Sequence, residues 1–172
     1  MHLLALLLLA AAPSSSFDGY PTTRGTAGVS VSVSGLAAPT IGATYFLFND
    51  LAARIDIGFN APLTPGGAGQ NTLFSLGGGL RLYPVKHNHV AVFIQPAITA
   101  GRENSPAVSA EAAFFFLFGA GIGAEFFFAS HFSVGAVLQV ALKFANLAGP
   151  ASTPLYTTLS TATSGLSANI YF

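Results

Sequence analysis

Charge is what this chain lacks most: of its 172 residues only 7% are Asp, Glu, Lys or Arg, against roughly 25% in ordinary soluble domains. With 52% of the residues apolar, a water-facing surface of normal polarity cannot be assembled, and some large surface must face lipid. A long hydrophobic run is missing as well. The one uninterrupted apolar stretch, Leu3 to Ala12, is about half of the roughly 20 residues that a membrane-spanning helix needs. What remains is a closed β-barrel, whose backbone donors and acceptors are satisfied between strands. Cysteine is absent, which leaves no thiol for a lipid anchor or a metal site and suits a passage through the periplasm free of unwanted disulfides. An excess of basic charge is absent too, since six Lys and Arg balance six Asp and Glu, and this argues against a nucleic-acid partner.

Residues 1–16 read as a signal peptide: Met1 and His2, an apolar core of Leu3 to Leu9, then small residues and a Pro/Ser patch. The leading region has no Lys or Arg. Two cleavage sites stay open, one at the small-x-small pattern Ala10 to Ala12, which would leave Pro13 just after the cut, and one after Ser16. A short buried helix is the alternative reading of this segment. Residues 17–172 are expected to form a single barrel domain.

Beyond Pro21 the chain divides into segments of alternating hydrophobicity, about ten residues each, the repeat of tilted membrane strands. Eight are expected, which together predict an all-β, antiparallel, up-and-down transmembrane barrel. Arg24 to Gly35 sets Val29, Val31 and Val33 against Ser30, Ser32 and Ser34. Thr40 to Phe48 and Leu51 to Asn60 follow, joined by Asn49-Asp50, whose side chains favour turns. Leu73 to Tyr83 puts Phe74, Leu76, Leu80 and Leu82 outward and Arg81 inward. Val90 to Gly101 contains Pro96, which removes a ladder bond and predicts a bulge nearby. Glu111 to Phe128 sends Phe114, Phe116, Phe118, Ile122 and Phe126 outward, and Phe132 to Phe144 carries Ser133, Gln139 and Lys143 to the lumen. In the last segment Leu166, Ala168, Ile170 and Phe172 alternate with Ser167, Asn169 and Tyr171.

The connections alternate in length. Asn49-Asp50, Val85 to Asn88 and Ala129 to His131 are short, whereas Ala61 to Thr72, Arg102 to Ala110 and Asn146 to Tyr156 are longer. Short periplasmic turns and longer outside loops are what an even-stranded barrel with both termini in the periplasm requires. Leu36 to Pro39, read as the first outside loop, is short and departs from the pattern.

A last strand that closes on an outward aromatic, Phe172, resembles the terminal strand of bacterial outer-membrane barrels. The resemblance implies that Phe172 is the signal read by the barrel-assembly machinery, that periplasmic chaperones accompany biogenesis, and that outer-membrane lipids are the lasting partners. Asn49 to Arg54, Phe118 to Glu125 with the turn Ala129 to Gly135, and Asn169 to Phe172 resemble the hairpins of small outer-membrane barrels of the OmpA/OmpX type, over the whole mature chain. The implied place is the outer membrane of a Gram-negative-type envelope.

An eight-stranded barrel has an interior just wide enough to be filled by side chains, so polar inward residues must pair with one another. Arg54, Asp56, Arg81, Glu125 and Asn169 each fall a few residues above a short turn or near the last strand's lower end. That placement predicts one closed hydrogen-bonded network. Glu111 and Lys143, at the upper ends of neighbouring strands, are expected as a second pair. The role expected is structural or surface-interacting, with no catalytic residue and no cofactor.

Two rival readings use the same residues. The lumenal charges would line a narrow solute path, although their matched signs and the many lumenal glycines weigh against a selective ring. Alternatively, small outer-membrane lipid A deacylases use a His-x-Ser pair with a carboxylate on the outer face, and His131-Phe132-Ser133 has that spacing. Here the pair lies at a periplasmic turn, Val134 stands where an Asn would follow, and no acid follows within the strand. His87, His89 and His131 occupy two turns with no carboxylate or cysteine to complete a metal shell, so they are expected to be solvated and no metal is expected. Pro65 to Gly69 lacks a following Lys-Ser/Thr, which excludes a phosphate loop. A soluble lipocalin-like barrel would turn its apolar faces into the cavity and carry many more charges outside.

Overall fold

Strict alternation of polar and apolar residues favours extended backbone, because successive side chains of a strand point to opposite faces. The computed structural model describes residues 19–34, 37–60, 72–104, 113–145 and 156–172, and these form eight strands. They are β1 (Ala27–Ser34), β2 (Ala37–Phe48), β3 (Leu51–Asn60), β4 (Thr72–His87), β5 (Val90–Asn104), β6 (Ala113–Ala129), β7 (Phe132–Ala145) and β8 (Tyr156–Tyr171). Each pairs antiparallel with its neighbour in sequence, and β8 returns to β1, so the sheet closes into an all-β up-and-down barrel. The seam aligns Val29 with Ile170, Val31 with Ala168 and Val33 with Leu166. Beyond it, Phe172 N donates to Ala27 O at 2.8 Å and Ala27 N to Phe172 O at 3.4 Å.

The pleat sorts the residues as the alternation predicts. Val29, Val31, Val33, Ile41, Ile55, Ile57, Phe74, Leu76, Ile94, Phe116, Ile122, Leu138 and Leu166 are exposed on the outside, while Ser30, Thr44, Arg54, Ser75, Arg81, Glu125, Ser133 and Asn169 are buried. Three two-residue turns, Asn49-Asp50, Asn88-His89 and Ser130-His131, define one end of the barrel, the turn end. Asp50 and Asn88 have φ of 66° and 53°, a left-handed conformation that Asp and Asn tolerate better than most residues.

Several boundaries differ from those the sequence predicts. β4 runs on to His87 because the β4–β5 register shifts between Leu82 and Val85, where β4 gains one residue at Pro84. The expected bulge therefore belongs to Pro84. Pro96 sits in register, opposite Ala120 on β6 and between the pairs Gly79–Ala97 and Leu82–Ile94 on the β4 side. A proline without an N–H is accommodated where an extra residue interrupts the ladder, or where its missing bond faces a position that stays unpaired. β1 starts at Ala27, not Arg24, because Gly25 at φ 92° bends the chain out of the wall. β2 begins at Ala37, so Pro39 lies within the strand. The signal-like residues 1–16, Glu111 and most of the three longer connections, residues 61–71 with Pro65 to Gly69, 105–110 and 146–155, lie outside the described residues, while Thr72, residues 102–104 and Tyr156 belong to strands.

Near the turn end the lumen is filled by inward aromatic rings. Phe93, Tyr83, Phe46, Tyr171 and Phe127 succeed one another around the interior with centroid separations of 5.9, 5.8, 6.1 and 6.0 Å. Ala52 and Ala91 complete this buried layer. Aromatic pairs at such separations are worth about 0.5–1.5 kcal/mol beyond the area they bury.

Candidate functional site: the lumen

Above the aromatic layer the inward positions turn polar, and Glu125 is their centre. Its carboxylate, on β6, is wholly buried. Oε1 accepts from Tyr171 Oη at 2.5 Å, from Asn169 Nδ2 at 3.0 Å and from Ser133 Oγ; Oε2 accepts from Tyr83 Oη at 2.7 Å and from Arg81 Nη1 at 3.3 Å. Arg81 in turn gives Nε and Nη2 to Gln95 Oε1 at 2.9 and 2.7 Å and lies 4.1 Å over the Phe93 ring. One carboxylate thus joins β4, β6, β7 and β8, with β5 added through Arg81 and Gln95, and a buried anion with five donors is the arrangement such a charge needs. The register makes it possible, since Ser133 stands opposite both Phe127 and Asn169, and Gly135 opposite Glu125 leaves room for the side chain.

Arg54 and Asp56 form a separate unit. Two residues apart on β3 and both inward, they make a bidentate pair in which Nε lies 2.9 Å from each carboxylate oxygen and Nη2 2.7 Å from Oδ1. Of the four facing positions on β2 and β4, three are glycine, Gly42, Gly77 and Gly79, and with Thr44 as the fourth they leave the space this pair occupies. The single network expected from sequence is therefore two: Arg81, Glu125 and Asn169 are brought together, whereas Arg54 and Asp56 satisfy each other. Ser30 Oγ, buried opposite Gly42, has no hydrogen-bond partner among the described residues.

Of the second expected pair, Glu111 lies outside the described residues, and Lys143 is found with another acid. Lys143 Nζ binds Glu103 Oε2 at 2.7 Å and lies 4.7 Å over the Phe115 ring. Glu103 falls at the end of β5, in a stretch that sequence reading assigned to a loop. Between these ion pairs the lumen keeps a cavity of about 180 Å³, lined by Arg54, Asp56, Gln95, Thr99, Glu103 and Lys143 among others. Below it stand the Arg81–Glu125 layer and the aromatic rings.

The histidines separate into two kinds. His87 and His131 are exposed, as expected of solvated turn residues, but His89 is buried: Nδ1 lies 3.1 Å from Phe127 O and its ring stacks on Phe126. β4 takes in His87, and His89 stays in the turn. His131 Nδ1 lies 3.1 Å from Tyr171 O, while Ser133 Oγ points into the lumen at Glu125, so the His-x-Ser residues do not converge. Among the described residues no three His, Asp or Glu side chains are grouped to hold a metal.

What sequence reading missed is mostly aromatic. Tyr83 and Tyr171 supply two of the donors to Glu125, and their odd numbers place them on the same faces as Arg81 and Asn169, a signal that was available. Tyr20 was not identifiable in this way because it lies outside any alternating segment. Its hydroxyl donates to Asn88 O at 2.6 Å, and burial holds the phenol above its ordinary pKa.

No family model matches the chain, and no curated protein matches its sequence. Solved structures match in fold. The N-terminal β-barrel domain of Pseudomonas aeruginosa OprF superposes with a TM-score of 0.53 at 12% identity, over 87% of this chain and 98% of that one. Neisserial surface protein A, NspA, superposes with a TM-score of 0.51 at 18% identity, over 85% of this chain and 92% of that one. Both are small eight-stranded outer-membrane barrels, and what this chain shares with them is that fold.

Proposed function

We propose that this protein is an integral outer-membrane barrel, with its short turns in the periplasm, that serves as a structural or surface-interaction protein and conducts no solute. The observation that carries the reading is the inversion of the sheet: large apolar side chains are exposed all round the outside, while Arg54–Asp56, Arg81–Glu125 and Lys143–Glu103 lie within. Strands β2 to β8 have 10 to 17 residues, at least the 9–11 or so that a tilted strand needs to cross a bilayer. Phe172 is, in this proposal, the residue that the assembly machinery reads, a reading supported by its outward exposure and by the backbone bonds that hold it beside Ala27. The mature chain is expected to remain with outer membranes through a carbonate or urea wash and to migrate differently when boiled. Recovery in the soluble periplasmic fraction would refute the assignment.

The narrow-channel reading draws on the lumenal cavity. Against it stand the Glu125 layer and the aromatic rings, stacked between that cavity and the turn end. Reconstituted protein is expected to give no sustained conductance in planar bilayers, and reproducible single-channel steps altered by Arg54→Ala or Glu125→Gln would favour the channel.

A further inference from the structure

Residues 19–24 lie outside the wall of the barrel, whereas Gly25 and Thr26 still bond Phe46 of β2 through the backbone. Ala27 opens β1, yet Tyr20 hydrogen-bonds Asn88 O at 2.6 Å and Val90 O at 3.2 Å, at the connection between β4 and β5. In a closed ring of eight strands that connection lies half-way round from β1, so the segment crosses the mouth of the turn end. On the way it is tied at its middle. Thr22, only 2% exposed, donates Oγ1 to Asp50 Oδ1 at 2.8 Å, and its carbonyl accepts from Asp50 N at 2.8 Å. Lys86 Nζ clamps the same place, 3.1 Å from Thr22 Oγ1 and 2.5 Å from Asp50 Oδ1. The Tyr20 ring meets Phe127 edge-on at 5.3 Å and packs against the aromatic layer. Gly25, with φ of 92°, lies in the turn that leads from this segment into β1, and Gly19 has φ of 104°; other residues would be strained at both positions.

We infer that residues 19–24 form a lid over the turn end of the lumen, one that opens at Tyr20 and Thr22 while the barrel wall stays closed. The physical basis is a contrast in how the parts are held. Each wall strand is bound along both edges by a ladder of backbone hydrogen bonds that resumes after each local register shift. The lid is held by separate hydrogen bonds at Tyr20, Thr22 and Arg24 to the turns and the strand ends beside them, without a continuous ladder, and these are set against the conformational entropy of ordering the segment. Such a segment belongs to the part of a protein that opens locally at low free-energy cost, ahead of global unfolding. Beneath it lie Ala52 and Ala91, both wholly buried next to the turns that the lid contacts.

The absence of cysteine makes the test clean, because one introduced thiol reports alone. Ala91→Cys and, as an independent probe, Ala52→Cys are exposed to a charged methanethiosulfonate in folded, micelle-bound protein. Thr99→Cys, in the cavity on the far side of the Glu125 layer, is the control. Combining either probe with Tyr20→Ala and Thr22→Ala is expected to raise its modification rate by at least about tenfold, the effect of one or two hydrogen bonds lost from a local opening. The gel shift of unboiled protein and the Thr99→Cys rate are expected not to change. The inference is overturned if neither probe accelerates, if both react fast with the lid residues intact, or if Thr99→Cys accelerates equally, which would mean general loosening of the barrel.

Discussion

Replacing Glu125 by alanine is expected to cost more stability than removing any other lumenal charge, and the structure gives the size. The carboxylate is 0% exposed and the Arg81 side chain 3%, so its loss strands a buried guanidinium and leaves Tyr83, Tyr171, Ser133 and Asn169 short of an acceptor. Breaking such a buried pair from one side costs about 3–5 kcal/mol, and the two bonds from Arg81 to Gln95 place this case toward the lower figure. Arg81→Met is expected to cost less, because Glu125 keeps four of its five donors while Arg81 without Glu125 keeps mainly one amide. Asp56→Ala also leaves an arginine unpaired, but the Asp56 side chain is 23% exposed and lines the cavity. Water there replaces part of the lost interaction, which suggests about 1.5–3 kcal/mol, the range for a charge-assisted hydrogen bond. Arg81→Met with Glu125→Leu should lose less than the sum of its parts. The assay is a urea titration of vesicle-inserted protein read by the gel shift of unboiled samples, arranged as a double-mutant cycle. Two results would refute the reasoning: Glu125→Ala costing less than Asp56→Ala, or the Arg81 and Glu125 effects adding within about 0.3–0.5 kcal/mol, as independent sites do.

The two faces of β6 give further tests. Ile122, exposed on the outside midway along the strand, should cost about 2–4 kcal/mol when replaced by arginine if it lies near the bilayer midplane, and Phe116, nearer the strand's start, less. Gly119→Ser on the inner face should be mild, since a Cβ there meets nothing closer than 3.4 Å; the opposite ranking in urea midpoints would mean a register slipped by one residue. Gly123→Ala is expected to destabilise by about 1–3 kcal/mol, because its Cβ would overlap the Phe93 ring that covers Arg81 and the Ala136 carbonyl. Equal midpoints for Gly123→Ala and Gly119→Ala would show that the ring moves aside freely.

Alternation along the chain determined most of the wall: eight strands, their inner and outer faces, and the turns at Asn49-Asp50 and Ser130-His131 could all be read from residue order. The reason is that strand pleat is a local, period-two property, so Val29, Val31 and Val33 declare their face without reference to any other segment. Where the period was broken the reading failed. The bulge falls between Leu82 and Val85, at Pro84 and not at Pro96, and β4 takes in His87, while His89 stays in the turn and is buried. Tertiary structure alone decided which inward side chains meet. Arg54, Asp56, Arg81, Glu125 and Asn169 stand at similar heights in sequence, but partners across a closed barrel are set by strand stagger and side-chain reach. Arg54 therefore closes on Asp56 two residues away, Lys143 reaches Glu103 on β5, and Tyr83 and Tyr171 join Glu125 from opposite sides. The lid has no periodic signal at all, since its conformation comes from contacts with turns that lie far away in the chain and become neighbours only once the barrel has closed.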